Sequence, residues 1–215
     1  MSKRDLFVVV ADLDAENAIK TLLTRRQKAL GIALDFSPIS PPNGDLLRYV
    51  GRDSGCRVNA VDLLRPPQKT HRHAMICFDR HGCGARNQSR EEIEAEIERQ
   101  LHINGWCHGD VAAIVIEPEL ESWVWADSAE VAHVMGWKGD MNAVRRSLIS
   151  RGLLVEGEAK PKDPKAAMKY IISEKRNRRL TARMFAELAQ NVSFHACEDP
   201  AFNKMRTILR GWFPT

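Results

Sequence analysis

Leu6-Phe-Val-Val-Val-Ala11 and Val111–Ile116 are short, unbroken apolar runs with no helical period, the pattern of strands buried on both faces. His73–Phe78, apolar after its histidine and closing on Asp79, predicts a third such strand. Between these runs the apolar spacing turns helical. Asp14–Leu30 predicts a helix with Asp14 as N-cap, and Ser54–Leu64 predicts another that stops before Pro66-Pro67. A long charged helix runs from Ser89 to about Asn104, opened by the capping box of Ser89 and Glu92. Ile32–Phe36 predicts a further strand, after which Pro38, Pro41, Pro42 and Gly44 mark a loop. A turn through Pro118 leads into a helix around Trp123 and Trp125.

Strands alternating with helices imply βαβ units, hence an α/β fold with a mainly parallel sheet flanked by helices. Beyond residue 128 only helices are predicted: Ser128–Met135, Asn142–Gly152, Pro164–Lys175, Thr181–Val192 and Pro200–Trp212. The expected organisation is an α/β core over residues 1–127 and an all-helical C-terminal extension over 128–215, packed on the core as one compact unit. No internal repeat or low-complexity tract interrupts it.

Composition narrows the class. Of 215 residues 44% are hydrophobic, enough for a sizeable core. No apolar run approaches the roughly 18 residues of a transmembrane helix. Ser2-Lys3-Arg4-Asp5 leads straight into a strand, so no signal peptide is expected and the cytoplasm is the expected compartment. Cys56, Cys77, Cys83, Cys107 and Cys197 are an odd set without paired spacing, as free thiols in a reducing compartment would be. The net charge of +4 is modest, but Arg145 to Arg183 holds twelve Lys/Arg against four Asp/Glu.

Three acidic groups follow three predicted strands: Asp12 and Asp14 with Glu16 one turn on, then Asp79, then Glu117, Glu119 and Glu121. Parallel neighbouring strands would bring all three to one sheet edge, where such folds bind ligands. Clustered carboxylates repel one another and are stable mainly around a cation; Mg²⁺ takes a few carboxylates with water and phosphate oxygens. The plainer reading makes Asp12 or Asp14 a helix cap and Glu117–Glu121 a solvated helix start. A zinc site is the other metal reading: His71, His73, Cys77, His81, Cys83, Cys107 and His108 are suitable ligands, but no CxxC or HxxxH spacing organises them. Cys83, between Gly82 and Gly84, is the one loop thiol placed for nucleophilic chemistry. Trp123 and Trp125 cannot share a helical face, so one is expected in the core and the other at a site or interface. Lys160-Pro-Lys-Asp-Pro-Lys165 and Lys175-Arg-Asn-Arg-Arg179 form a basic stretch whose Lys160, Lys162, Lys175, Arg176, Arg178 and Arg179 suit phosphate-backbone contact.

These residues resemble the TOPRIM-like proteins, in particular an uncharacterised bacterial family linked to phage-defence loci. Val10-Ala-Asp12-Leu-Asp-Ala-Glu16 is similar to the motif after the first TOPRIM strand, with Asp12 for the usual Glu and Leu13 for Gly. Phe78-Asp79-Arg80-His81-Gly82 is similar to the Asp-x-Asp segment, with His81 in the second Asp position. Glu119-Leu-Glu121-Ser-Trp123-Val-Trp-Ala-Asp127 resembles that family's Glu-x-Glu-Ala-Trp-x-x-Ala-Asp signature. Lys160–Lys165 and Cys197-Glu-Asp-Pro-Ala-Phe202 resemble its C-terminal pattern, so the likeness spans nearly the whole chain in short motifs.

The resemblance implies a TOPRIM-like fold and a Mg²⁺- or Mn²⁺-dependent nuclease of prokaryotic anti-phage defence. Asp12, Asp79, Glu119 and Glu121 would hold metal, and Glu16, Asp79, His81 and Glu121 would carry the chemistry. His81 suits a general base or a preference for Mn²⁺. Nucleic acid, and proteins of a defence operon, are the implied partners; no membrane is. The departures at Asp12, Leu13 and His81 point to the alternative, a catalytically degenerate subunit that binds nucleic acid or a partner protein.

Overall fold

The computed structural model describes residues 2–125, 129–137, 140–174, 179–194 and 197–215. Its strands are β1 (Arg4–Val10), β2 (Leu46–Arg48), β3 (His71–Asp79) and β4 (Val111–Ile116). They form one parallel sheet in the order β2-β1-β3-β4. Helices α1 (Leu13–Arg25), α2 (Gln27–Leu30), α3 (Arg52–Val58), α4 (Ala60–Leu64) and α5 (Arg90–Ile103) connect the strands. The C-terminal part is helical: α6 (Glu121–Val124), α7 (Ala129–Val134), α8 (Met141–Ser150), α9 (Pro164–Ser173), α10 (Ala182–Asn191) and α11 (Pro200–Trp212). Among the described residues no helix is long and apolar enough to cross a membrane.

The continuous apolar runs have the reason expected of them: both sheet faces are covered. Leu6, Val8, Val10, Met75, Ile114 and Ile116 share one cluster with α1 and the C-terminal helices. Phe7, Val9, Ile76, Phe78, Ala113 and Val115 share the other with α3, α4 and α5. Each fully buried Val, Ile, Leu or Phe contributes about 1.5–3 kcal/mol, so the two clusters dominate the driving force. The alternation of faces follows from right-handed crossovers. The chain goes from β1 to one side to make β2, then returns past β1 to make β3 and β4.

Several sequence expectations are corrected. The N-cap of α1 is Asp12, whose Oδ1 accepts the Ala15 N–H at 2.8 Å, not Asp14. The helix expected over Asp14–Leu30 breaks at Arg26, whose guanidinium donates to the carbonyls of Ala189, Gln190 and Val192 and so caps the end of α10. The helix expected over Ser54–Leu64 is divided at Asn59 into α3 and α4. Ile32–Phe36 is not a strand, although Ile32, Leu34 and Phe36 do point into the core. Its N–H groups are satisfied by other means: Gln27 Oε1 accepts from Leu34 at 2.9 Å and Asp5 Oδ2 from Asp35 at 3.0 Å. The second strand is instead Leu46–Arg48, too short to show a period. Trp123 and Trp125 are both buried, at 7% and 2% exposure.

The free edge of β4 is closed by side chains. Glu94 Oε1 accepts the Val115 N–H at 2.9 Å, Glu98 Oε1 the Ala113 N–H at 3.0 Å, and Lys204 Nζ donates to the Ala113 carbonyl at 3.0 Å. Lys204 also bonds both glutamates, and Arg90 pairs with Glu94 at 2.8 Å. This α5–β4–α11 network spends the edge's hydrogen bonds internally and blocks a fifth strand from pairing there. Replacing Glu94 with Ala strands Arg90 and the Val115 N–H in the interior. Urea unfolding is expected to show a loss of about 3–5 kcal/mol, the cost of breaking a buried ion pair.

Candidate functional site

Sheet order decides where a site can lie. The chain leaves β1 toward β2 and enters β3 on β1's other side, so the connections diverge between the two strands. At that switch point a crevice opens outside the carboxyl ends. The register pairs Val10 with Cys77 and Asp79 with Ile116, so β1, β3 and β4 end close to one level. Asp12 follows β1, Asp79 ends β3, and Glu119 and Glu121 follow β4. The acids singled out after these three strands therefore meet at one edge.

Asp79 is the centre. Its backbone N–H donates to Asp53 Oδ1 at 2.9 Å, and its own Oδ1 accepts the Leu120 N–H at 3.0 Å. One residue thus ties the start of α3 to the loop before α6. Burial pushes the Asp79 pKa well above the ordinary carboxylate range, and the charges of Asp53, Glu121 and Asp12 push it further; Lys165 acts the other way. Burial likewise raises Glu121, against the pull of Lys165, and raises Asp14, where Asp12 adds to the effect.

Asp53 is the site residue that sequence reasoning missed. Burial raises its pKa, and Asp12 adds to the shift, although the Asp79 N–H opposes it. It enters the site because Arg52, at φ 58°, takes a left-handed backbone turn that non-glycine residues seldom adopt, just where α3 begins. On the facing loop Gly82, at φ 98°, passes so close that a Cβ would stand 3.3 Å from Asp53 Oδ2. The available signal was an acid in the first turn of a helix that starts earlier than its apolar spacing suggests.

Beyond β4, Lys165 in the first turn of α9 reaches across to Glu119 Oε1 at 3.1 Å and Glu121 Oε1 at 3.5 Å. Burial works against the Lys165 charge, but Glu121 and Glu119 outweigh it and hold the ammonium protonated. His81, 78% exposed at the rim, sets Nδ1 3.2 Å from Glu119 Oε1. The hard oxygen donors of Asp12, Asp53, Asp79 and Glu121 match the chemistry of Mg²⁺, which needs only one or two carboxylates beside water and phosphate. Among the described residues, no three His, Cys, Asp or Glu side chains form a group arranged to hold a metal ion.

The remaining predicted site residues divide. Asp12 is exposed and also caps α1. Glu16 is held by Arg48 at 2.8 Å, turned to the end of β2. Glu117 is exposed beside the turn. Lys160 Nζ is spent on the Ser122 carbonyl at 2.8 Å, while Lys162 lines a cavity with His81 and Lys165. Arg179 is exposed; Lys175, Arg176 and Arg178 lie outside the described residues. The soft ligands scatter. His71 is buried against Asp45, His73 stacks on Trp212, and Cys77 and Cys83 are fully buried, so Cys83 is no open loop thiol.

Because the folded-state pKa of Asp79 lies above its unfolded one, the folded protein binds this proton more tightly. The stability it contributes is complete below about pH 4, the unfolded value, and is lost as pH rises through the folded pKa. Asp79→Asn keeps an acceptor for Leu120 and removes the titration. In EDTA its melting temperature is expected to match or exceed wild type at pH 8 and to fall less between pH 5 and 8. A mutant that melts well below wild type at pH 8 would contradict the repulsion.

Comparison of the chain with protein-family models, with characterised proteins and with solved structures finds no match.

Proposed function

We propose that this protein is a TOPRIM-like, Mg²⁺- or Mn²⁺-dependent nuclease that hydrolyses phosphodiester bonds in prokaryotic anti-phage defence. The observation that carries the reading is the convergence of Asp12, Asp53, Asp79 and Glu121 at the β1/β3 switch point, with Asp79 buried among like charges. Such a cluster is costly unless a cation relieves it. A divalent ion held there would neutralise phosphate charge and activate water. Asp79 and Asp53, linked through the Asp79 N–H, are the donors best fixed in position. His81, exposed beside Glu119, is placed to exchange a proton with water or a leaving group. Glu16 is engaged by Arg48.

A specific observation favours a second reading, a degenerate subunit that binds nucleic acid or partner proteins in a defence complex. Lys165 already neutralises Glu119 and Glu121, so a protein cation stands where the first reading needs a metal.

The two readings separate on the pure protein. In the nuclease reading Mn²⁺ or Mg²⁺ supports cleavage of plasmid or single-stranded substrates, and Mn²⁺ raises the melting temperature. Asp79→Asn then lowers cleavage by roughly 100- to 1000-fold, the scale of losing one preorganised charge, without unfolding. Wild-type protein that neither cleaves nor is stabilised by Mn²⁺, alone or with its genomic neighbours, would sink the nuclease reading.

A further inference from the structure

A cavity of about 380 Å³ lies beside the acidic cluster, between the loop after β4 and the first two turns of α9. Its walls carry Lys162, Lys165, Lys169 and His81, with Glu119 and Asp163 as the acids. That volume is in the range of small-ligand sites. Lys165 and Lys169 stand four residues apart on one side of α9, and Lys162 precedes its cap, so three lysines line the same cavity. Like charges at this spacing repel, and of the two only Lys165 has carboxylate partners among the described residues.

The acids offset only part of this charge, since the carboxylates that pair with a lysine here, Glu119 and Glu121, both pair with Lys165. Asp163 Oδ1 caps α9 by accepting the Ala166 N–H at 2.8 Å, and Glu119 is taken by Lys165 and His81. Lys162 and Lys169 have no carboxylate partner among the described residues, whereas Lys165 forms the boundary between cavity and acidic cluster. Without the Lys165 ammonium, a phosphate in the cavity would face the unscreened charges of Glu119 and Glu121.

We propose that this cavity is a phosphate subsite that seats a backbone phosphate of a nucleic-acid strand next to the acidic cluster. Lys162 and Lys169 contact the phosphate, and Lys165 is the positioning residue that screens it from Glu119 and Glu121. The proposal rests on the nucleic-acid reading above and extends it to the residues that hold the strand.

The test is binding of a fluorescein-labelled oligothymidylate of about 12 nucleotides, within single-strand site sizes, followed by polarisation in EDTA across a salt series. Wild type is expected to bind with a steep log–log salt dependence. Lys162→Ala with Lys169→Ala should weaken binding about tenfold or more and flatten the slope by about 0.7, the value for one single-strand phosphate. Lys28→Ala with Lys69→Ala removes the same charge from exposed positions elsewhere and should leave the slope unchanged. An unchanged slope in the first variant, an equal loss in the control, or no binding by wild type overturns the subsite. Cleavage with cavity-independent binding would overturn the subsite and leave the nuclease reading standing. Cavity-dependent binding in EDTA, with neither cleavage nor stabilisation when Mn²⁺ is supplied, alone or with the genomic neighbours, would support the subsite and refute the nuclease.

Discussion

A carboxylate that cannot move away from its neighbours is the constraint on which this structure turns. Asp79 is fixed by the β3 ladder, by its N–H to Asp53 and by the Leu120 N–H on its side chain. The same bonds that hold the crevice together crowd Asp53, Glu121 and Asp12 around a buried acid. Repulsion of this kind lowers stability unless protons, an ammonium or a metal compensate. The fold supplies part of that compensation itself, from Lys165 on α9. The C-terminal helices are therefore more than a cover for one sheet face.

Two other side-chain networks tie that extension to the sheet. Arg26 reaches from the end of α1 to the last carbonyls of α10 and lies over the Phe194 ring at 4.6 Å. Lys204 on α11 joins Glu94 and Glu98 of α5 beside the edge of β4. Both are long cations placed against carbonyls or carboxylates that the backbone alone leaves unsatisfied. Asp199 adds a third link, capping α11 and accepting the Trp123 indole N–H at 2.9 Å. The apolar cluster running from Leu6 to Phe213 then packs sheet and extension together.

The amino acid order alone determined the parts whose physics is local. Unbroken apolar runs gave three of the strands, because a parallel strand covered on both faces has no polar alternation. The Ser89–Glu92 box marked a helix start through groups only a few residues apart, and the helices expected from Pro164 and Pro200 begin there. The acids Asp12, Asp79, Glu119 and Glu121 were legible because they follow strands, and strand ends are where α/β sheets keep their chemistry.

Tertiary structure decided the rest, since the groups concerned are far apart in the chain. Leu46–Arg48 is a strand only because β1 offers it a partner, and Ile32–Phe36 is not one because Gln27 and Asp5 take its N–H groups. Asp53 joined the site through a backbone turn at Arg52, and Glu16 was drawn off by an arginine on another strand. Lys160 and Lys165, five residues apart in one basic stretch, received different tasks, one on a carbonyl and one between two glutamates. Sequence spacing tells which side chains share a strand end or a helix face. Which charge then meets which is settled only when the sheet order and the packing of α9 bring distant segments within a few ångströms.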